Sequence, residues 1–363
     1  MMIKISKKTI ITLSTLLIIY SFFYILRIHP SPQIYKESQF LMGTIIEISV
    51  VSTSETDAHR AIQVSLYRLK EIERMMNFWD TQSELSLLNQ RAPSEEVVVK
   101  QELYYLIKKA VGYSQLTEGA FDITIGPVFR LWNFRDGGGN LPAPFQLSQA
   151  LTRIGYTNII FNDVKHSLKF RQPNLEIDLG GIAKGYAADQ AVLALKNSGI
   201  DSALVSVGGN LKALGKKQKN HYWNIGIRHP RKEEEKRRRG QEDKRIRRQN
   251  ELLATLTLTD KAVSTSGDYE RFFIKDGIRY HHILNPKDGY PANDCQSVTI
   301  VATEATTADA LSTGVFILGP KKGLALIEAQ PGVEGVIVDK EGKTLISSGL
   351  RGKIKILGYT HLN

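Results

Sequence analysis

The sequence predicts an α+β fold in which mixed, largely antiparallel sheets pack against helices. Strand-like segments follow one another closely between residues 253 and 284, as they do in hairpins: "LATLTLT", "AVSTSG", "YERFFIK" and "RYHHIL". Amphipathic helices stand before and after this group, so a doubly wound parallel sheet is not favoured. With 363 residues, 42% of them hydrophobic, the chain is long enough to bury a sizeable core.

The first 28 residues are predicted to be a membrane anchor. The run from Thr9 to Leu26 carries no charge, and about 18 apolar residues suffice to span a bilayer. Lys4, Lys7 and Lys8 precede the run, which places the N-terminus in the cytoplasm. No small-residue cleavage site follows, although a cleaved signal remains the alternative. We therefore expect a single-pass protein of the cytoplasmic membrane with its remaining chain on the extracytoplasmic side.

The next segments predict a tether, a strand and two helices. Residues 29–38 contain prolines and are predicted to be a tether, and residues 40–50 are predicted to form a strand that Gly43 interrupts. Ser54 then caps a helix, and a second helix covers about 101–116. The first of these helices repeats apolar residues every three or four positions, at Ile62, Leu66, Leu69, Ile72 and Met76.

The rest of the chain alternates short strands with helices. Glycines at 137–139 mark a loop. A helix is predicted after Lys184, and another from Glu304 to Leu318. Besides the hairpins, short strands are expected near 157–161, 167–171, 175–179, 202–207 and 297–303.

The charge of the chain is concentrated in one segment. The net charge is +11, and residues Arg231 to Arg248 hold ten basic and five acidic residues, so this segment alone supplies a net of five positive charges. The sequence thus offers no basic face for nucleic acid. We predict a disordered insertion at 231–249, with contact to anionic lipid as the alternative. The single cysteine, Cys295, excludes an internal disulfide and a cysteine-cluster metal site.

The stretch "EIDLGGIAKGYAADQ", residues 176–190, has the parts of an anion-binding cradle. A strand end is followed by the glycine pair Gly180 and Gly181, then Lys184, then a helix start. Asp178 stands just before the turn. Neither a Walker A loop nor a dinucleotide fingerprint is present. Taken alone, the stretch also fits a glycine turn that serves only helix packing.

A second stretch, "TADALSTG" at 307–314, places Asp309 and Thr313 four residues apart on one face of a predicted helix. A carboxylate and a hydroxyl are hard oxygen ligands that suit Mg²⁺, which usually keeps waters and substrate phosphates as its other ligands. The alternative is an aspartate favoured by the helix dipole and a threonine bonded back to the helix.

Two further stretches hold polar residues in apolar surroundings. "GAFDITIGP" at 119–127 places Asp122 between apolar neighbours, where a carboxylate must be paired, hydrogen-bonded or functional. "YHHILNPKDGYP" at 280–291 places His281 and His282 on successive strand positions, so we expect them to face opposite ways.

Together and in order, these segments resemble the FAD:protein FMN transferases, the ApbE family. The resemblance runs from about residue 40 to the C-terminus and predicts one catalytic domain at 39–363. The matching stretches are "FLMGT", "FWDTQSELSLLN", "GAFDITIGPVFRLWNF", "IDLGGIAKGYAAD", "VSVGGN", "WNIGIRHP", "STSGDYERFF", "HHILNPKDGYP" and "VTIVATEATTADALSTGVFILG".

The resemblance implies that FAD and Mg²⁺ bind in a cleft between two lobes. Lys184 would meet the pyrophosphate, and the carbonyl of Gly181 would join Asp309 and Thr313 on the metal. The other implied FAD contacts are Met42, Trp79, Gly119, Ala120, Phe121, Asp122, Asp178 and Leu284.

The implied reaction is Mg²⁺-dependent transfer of FMN to a Ser or Thr hydroxyl of a membrane or exported acceptor protein, with release of AMP. His282 matches the general base, with an apparent pKa expected near 6.5, and Asp309 is the next candidate to take the proton. The family's usual aspartate is Asn285 here, and its usual threonine is Asp288. Two alternatives remain open: an FAD pyrophosphatase that gives FMN and AMP, and a flavin-binding protein without chemistry.

Overall fold

The computed structural model describes residues 7–28, 31–134, 138–218, 221–231 and 252–357, with backbone only over 22–28. The helices are α1 Lys7–Ile28, α2 Glu55–Met76, α3 Glu84–Arg91, α4 Gln101–Leu116, α5 Gly126–Trp132, α6 Pro144–Leu151, α7 Ala183–Asn197, α8 Ala305–Leu318 and α9 Pro320–Ala329. The strands are β1 Gln33–Leu41, β2 Thr44–Ser52, β3 Val97–Val98, β4 Ile159–Asn162, β5 Ser167–Phe170, β6 Ala203–Val207, β7 Asn210–Leu214, β8 Trp223–Arg228, β9 Leu252–Leu258, β10 Ala262–Gly267, β11 Phe272–Lys275, β12 Ile278–His281, β13 Cys295–Ala302, β14 Glu334–Asp339, β15 Thr344–Ile346 and β16 Ile354–Ile356.

An eight-stranded antiparallel sheet forms the centre of the fold. Its strand order is β1-β2-β6-β7-β10-β13-β14-β15. Smaller antiparallel groups join β16, β9 and β8, then β3, β5 and β4, and the hairpin of β11 and β12. The predicted α+β class with largely antiparallel sheets is confirmed. The expected cleft between two lobes stays a prediction.

Much of the central sheet is covered on both faces, while β1 and β2 keep exposed side chains such as Phe40 and Ile45. On one face Ile46, Ile48 and Val205 pack with α2 and α7, and further along α8 and α9 cover β13 and β14. On the other face the sheet of β8, β9 and β16 packs against β10, β13 and β14. Ala262 and Val263 are neighbours on β10 and enter different clusters, because successive strand side chains alternate between faces.

The N-terminal hairpin corrects two sequence predictions. The chain pairs continuously from Gln33 with Ser52 to Leu41 with Thr44, so the single strand predicted at 40–50 is a two-strand hairpin. The tether predicted at 29–38 is wrong from residue 33 onward, because alternate β1 side chains are half-buried. Met42 and Gly43 form its two-residue turn with φ of 55° and 66°. A methionine at positive φ is strained, which makes this turn a candidate functional position.

Other element predictions need smaller changes. Ser54 caps α2 as predicted, because its hydroxyl accepts a hydrogen bond from the Asp57 N–H at 3.2 Å. The helices predicted at 101–116 and from Glu304 are confirmed as α4 and α8. The strand predicted at 175–179 is wrong: the segment forms only an isolated parallel bridge between Glu176 and Ile125.

Helices α7 and α8 approach closely at Gly185, and this contact positions the candidate site. A Cβ at Gly185 would lie 2.7 Å from the Cβ of Asp309 and closer still to the carbonyl oxygen of Ala305. The Gly185 N–H also donates to Asp309 Oδ2 at 2.8 Å. Residue 185 must therefore lack a side chain if the lysine-bearing start of α7 is to lie against the aspartate of α8.

The Gly185→Ala variant is expected to lower the free energy of unfolding by about 1–3 kcal/mol, because the added methyl group overpacks the contact between α7 and α8. Urea unfolding of variant and wild type measures the loss. Gly112 in the exposed part of α4 is the control, since a Cβ there meets nothing within 4 Å. Gly112→Ala should instead raise stability by about 0.5–1 kcal/mol. Equal effects of the two substitutions would contradict the close-approach argument.

Two predicted features lie partly or wholly outside the described residues. The predicted anchor covers residues 1–6, which are not described, and then helix α1, whose described side chains from 7 to 21 are exposed. No helix in the described ranges is both long and apolar enough to cross a membrane, so the anchor is not supported there. The charged insertion predicted at 231–249 lies outside the described residues except for Arg231, whose guanidinium pairs with Asp268 on both oxygens.

Candidate functional site

The cradle predicted around Lys184 lies at the start of α7. The chain passes Asp178, turns at the glycine pair and enters the helix at Ala183. The Gly180 N–H donates to Asp178 Oδ1 at 2.9 Å, which closes a tight turn before the helix. Lys184 stands in the first turn of this helix, where the Ala183 N–H donates to the Leu179 carbonyl oxygen at 2.8 Å and the Gly185 N–H donates to Asp309 Oδ2 at 2.8 Å.

Asp309, Thr313 and Gly181 come together beside this cradle. Asp309 and Thr313 lie one turn apart on α8, as predicted, and a Cβ at Gly181 would lie 3.6 Å from Thr313 Oγ1. The same position would lie 3.0 Å from Cε2 of Phe121, so the loop at 119–121 closes the other side. On β10, Ser266 shares hydrogen bonds with Thr313 at 3.2 Å and Ser312 at 2.9 Å.

Burial raises the pKa of Asp309 above its ordinary value, and the positive charge of Lys184 opposes this effect. The side chain is 4% exposed. A carboxylate in such a place is favoured when a cation is bound beside it. Its Oδ2 already accepts from the Gly185 N–H, so the helix contact fixes the direction of the carboxylate.

The donor set fits a magnesium ion that also binds phosphate. The donors would be the buried Asp309 carboxylate, the Thr313 hydroxyl and the Gly181 carbonyl, all of which are hard oxygen donors. Within the described ranges, no group of three or more His, Cys, Asp or Glu side chains could hold a metal ion. A site of this kind suits a cation that takes its remaining ligands from water and substrate.

The two histidines face different surroundings, as the sequence predicts. His281 is 2% exposed, its Nε2 lies 2.9 Å from the Ala292 carbonyl oxygen, and its ring meets Phe316 edge-on. His282 is half-buried and lies within electrostatic reach of Lys184. Strand β12 ends at His281, so the alternation does not extend to Leu284. Continued alternation to residue 284 would predict that Leu284 and His282 share a face. This prediction is wrong, because Leu284 packs into the buried aromatic cluster around Trp132.

His282 is held in one orientation by a single carbonyl. Both its N–H, at 3.1 Å, and its ring Nδ1, at 3.3 Å, lie against the carbonyl oxygen of Arg271. A carbonyl only accepts, so Nδ1 carries the proton and Nε2 keeps the lone pair. Burial lowers the pKa of His282 to about 3, with Lys184 and Arg271 adding to the effect. This lowered pKa differs from the apparent pKa near 6.5 that the sequence predicts.

The two predicted aspartates of the flavin site differ in their surroundings. Asp122 is buried, and its carboxylate accepts from Thr124 N at 2.8 Å, Thr124 Oγ1 at 2.7 Å and Tyr156 N at 3.1 Å. It thus fixes the loop after Phe121. Asp178 is half-buried, and burial raises its pKa while Arg130 and Arg271 oppose the rise. Asp178, unlike Asp122, lies within electrostatic reach of the cations Arg130 and Arg271.

Trp79 is connected to the glycine turn by contacts through Arg130 and Glu176. Its ring packs edge-on against Phe78 at 5.1 Å, and the guanidinium of Arg130 lies 5.4 Å from its centroid. Arg130 in turn pairs with Glu176, just before Asp178. An aromatic ring and a cation thus lie beside the glycine turn, and a flavin-nucleotide surface at Trp79 stays a prediction.

Met42 and the glycine loop complete the set of predicted residues. The Met42 N–H donates to Glu73 Oε1 on α2 at 2.6 Å, and a Cβ at Gly43 would lie 3.7 Å from Nη2 of Arg271. The N-terminal hairpin therefore touches the residue that orients His282. Gly119 has φ of 79°, and Ala120 follows it in the same buried turn.

The departures from the family pattern serve turns. Asn285 Oδ1 accepts from the Lys287 N–H at 3.1 Å, and Asp288 Oδ1 accepts from the Tyr290 N–H at 2.9 Å. Both side chains thus stabilise the loop after His282. The described contacts of His282 run through Arg271, so its orientation does not depend on a carboxylate at position 285.

Three polar residues near the site carry no recognisable pattern in the sequence: Arg271, Arg130 and Ser266. Arg271 stands in "YERFFIK", which the sequence predicts only as a strand, and a single arginine carries no periodic signal. Arg130 and Ser266 gave no signal either. Their positions follow only from the packing of distant segments.

The fold and the site define an α+β protein in which a lysine, a buried carboxylate, a threonine hydroxyl and a histidine lie around a glycine turn. The chain belongs to the ApbE family, whose profile matches residues 42–337. A relative from Treponema pallidum, named FAD:protein FMN transferase, is 33% identical over 338 residues and covers 89% of both chains. One of the same name from Klebsiella pneumoniae is 31% identical over 88% of this chain and 93% of its own.

Solved structures agree with this assignment. The ApbE protein of Thermotoga maritima is similar with a TM-score of 0.78 and 35% identity, over 88% of this chain and 99% of that one. The structure titled flavin transferase ApbE from Vibrio cholerae gives a TM-score of 0.75 and 27% identity, over 89% and 99%. The family and fold predicted from the sequence are confirmed.

Burial of His281 is expected to make stability depend on pH. Burial lowers the pKa of His281 from 6.5 to about 4. Between these values the unfolded chain binds a proton that the folded chain does not, so stability falls as pH drops from about 6.5 towards 4, by up to ~1.4 kcal/mol per pH unit. His281→Gln removes this titration. Urea unfolding at pH 7.5 and 5.0 should therefore show a smaller stability difference between variant and wild type at pH 5.0.

Proposed function

We propose that this chain catalyses the Mg²⁺-dependent transfer of the FMN part of FAD to a Ser or Thr hydroxyl of an acceptor protein, with release of AMP. The observation that carries the proposal is the meeting of Asp309, Thr313 and Gly181 with Lys184 and a neutral His282. The names of the relatives, FAD:protein FMN transferase, support flavin transfer to a protein.

The residues at the cradle bind and orient the dinucleotide. Lys184 pairs with the pyrophosphate through its side-chain ammonium group. Asp178 and Trp79 lie at the flavin-nucleotide surface, with Met42 at the hairpin turn and the loop of Gly119, Ala120, Phe121 and Asp122 closing the other side. Asp309, Thr313 and the Gly181 carbonyl would hold Mg²⁺, which when bound neutralises phosphate charge and stabilises the leaving group.

His282 supplies the base. Its pKa of about 3 keeps the ring neutral at physiological pH, and its Nδ1–H is engaged with the Arg271 carbonyl, so Nε2 accepts the proton of the attacking hydroxyl. The hydroxyl oxygen forms a bond to the FMN phosphorus. The bond from that phosphorus to the bridging oxygen breaks, and the electron pair leaves with AMP. A histidine with a low pKa is a weak base, but it is unprotonated throughout the physiological pH range. Its fixed orientation toward the hydroxyl adds to its contribution to the rate.

The single experiment that tests the proposal is incubation of the purified full-length chain with FAD, Mg²⁺ and exported proteins that carry exposed Ser or Thr residues. Covalent flavin fluorescence on an acceptor after denaturing electrophoresis, with an equal amount of AMP, is the expected result. AMP without covalent flavin would show the pyrophosphatase, which needs only water in place of the hydroxyl. FAD binding without AMP would show a flavin-binding protein.

The acceptor and the location remain linked proposals. We propose that the catalytic domain acts on the extracytoplasmic side of the cytoplasmic membrane, where exported or membrane proteins would be the acceptors. Its support is the sequence alone, the uncharged run Thr9 to Leu26 behind Lys4, Lys7 and Lys8, since no helix in the described ranges is long and apolar enough to cross a membrane. External protease added to spheroplasts should digest the domain, and its full protection would contradict this location.

A further inference from the structure

Arg271 stands where three parts of the site meet. It lies between β10 and β11, and its side chain is exposed. Its Nη2 would lie 3.7 Å from a Cβ at Gly43, in the turn of the N-terminal hairpin that also holds Met42. In the part of the chain that the structure describes, no carboxylate forms an ion pair with this guanidinium. No sequence pattern assigns Arg271 a role.

The backbone of Arg271 is tied to the base. Its carbonyl oxygen accepts from both the N–H and the Nδ1–H of His282. The guanidinium is attached to the same residue, so its starting point is fixed relative to the imidazole. A charged group built into the segment that orients the base is well placed to meet the group that reacts there.

Charges around His282 point to an anion beside it. Lys184 and Arg271 are both within electrostatic reach of the imidazole, on different segments, and both lower its pKa. Arg271 also acts on Asp178 at the start of the glycine turn. Lys184 also acts on Asp309, as Arg271 does on Asp178, but neither cation forms an ion pair within the described residues. Two such cations from separate segments suit a ligand with more than one negative charge.

We propose that Arg271 binds the phosphoryl group that is transferred, from a segment separate from that of Lys184. The inference rests on the proposed function and adds a residue to it. In the transfer, the acceptor hydroxyl gives its proton to His282 Nε2 and bonds to the FMN phosphorus, while the bond to AMP breaks. The planar guanidinium donates to the non-bridging oxygens of that phosphorus throughout. Arg271 is thus a substrate-binding residue whose main chain also positions the base.

The test compares Arg271→Ala and Arg271→Lys with Lys275→Ala in the full-length chain. Lys275 is exposed and lies on the hairpin that follows Arg271. The substitution Lys275→Ala removes one positive charge, as Arg271→Ala does. Arg271→Ala should weaken FAD binding about 10- to 100-fold, as expected for loss of a charge-assisted hydrogen bond, and reduce kcat about 10²- to 10³-fold. Arg271→Lys should recover part of both, and Lys275→Ala should leave both within about twofold.

A pH profile gives a readout that a purely structural role would not change. Because Arg271 lowers the pKa of His282, the pKa followed by NMR titration of the His282 ring should rise in Arg271→Ala and stay in place in Arg271→Lys. FAD affinity and kcat of Arg271→Ala within twofold of wild type would overturn the proposal, and so would losses that Arg271→Lys does not relieve. If the wild type binds FAD but transfers no flavin, the proposed function fails, and the FAD affinities alone then decide the role of Arg271.

Discussion

Replacing Asp309 with asparagine is expected to reduce Mg²⁺-dependent flavin transfer by at least about 10³-fold while the fold remains intact. Asp309 is the only carboxylate in the proposed donor set, and the amide oxygen of asparagine can still accept from the Gly185 N–H. The loss would therefore come from the missing charge, not from a missing hydrogen bond. AMP release and covalent flavin, measured over a range of Mg²⁺ concentrations, report it.

The same substitution is expected to leave thermal stability unchanged or to raise it. Burial raises the pKa of Asp309, so the folded protein holds a charge that burial disfavours, and a neutral amide relieves this cost. Such a gain in stability with a loss of activity is typical of a functional residue. Asp339→Asn is the matched control: Asp339 is also buried but serves a turn, with Oδ1 accepting from Glu341 N and Lys343 N. Flavin transfer by Asp309→Asn within tenfold of wild type would remove Asp309 from the mechanism.

The second large effect is expected from His282→Ala, which should slow flavin transfer by about 10²- to 10⁴-fold, the range for loss of a general base. FAD affinity should change little, because Lys184 and the metal ligands hold the phosphates. With the pKa of His282 lowered to about 3, the wild-type kcat/KM should show no inflection near 6.5 from this residue. Single-turnover transfer at pH 5 to 8 measures both effects.

His281→Gln is the matched control for His282→Ala. It changes a neighbouring histidine whose ring lies in the core against Phe316, so transfer should fall much less than in His282→Ala. If His282→Ala transfers flavin at nearly the wild-type rate, another group takes the proton, and Asp309 is the next candidate. An inflection near 6.5 that disappears in His282→Ala would show that His282 titrates close to its ordinary pKa and would contradict the burial argument.

The sequence by itself determined the family, the α+β class and the order of most elements. Helical periodicity located α2, and the glycine turn before Lys184 located the start of α7, because both signals lie within one segment. The pair Asp309 and Thr313 was predictable for the same reason: residues four apart on a helix share a face wherever the helix packs. The different surroundings of His281 and His282 were predicted from strand alternation, although β12 ends at His281.

Only the tertiary structure decided how these segments meet. Gly185 matters because α8 lies against it, and Arg271 orients His282 from 11 residues away, across a turn that no periodic pattern reveals. The pKa of His282 likewise depends on burial and on Lys184, 98 residues earlier in the chain. Local propensity sets the elements, whereas burial, close approach and electrostatics depend on distances between segments that are far apart in sequence.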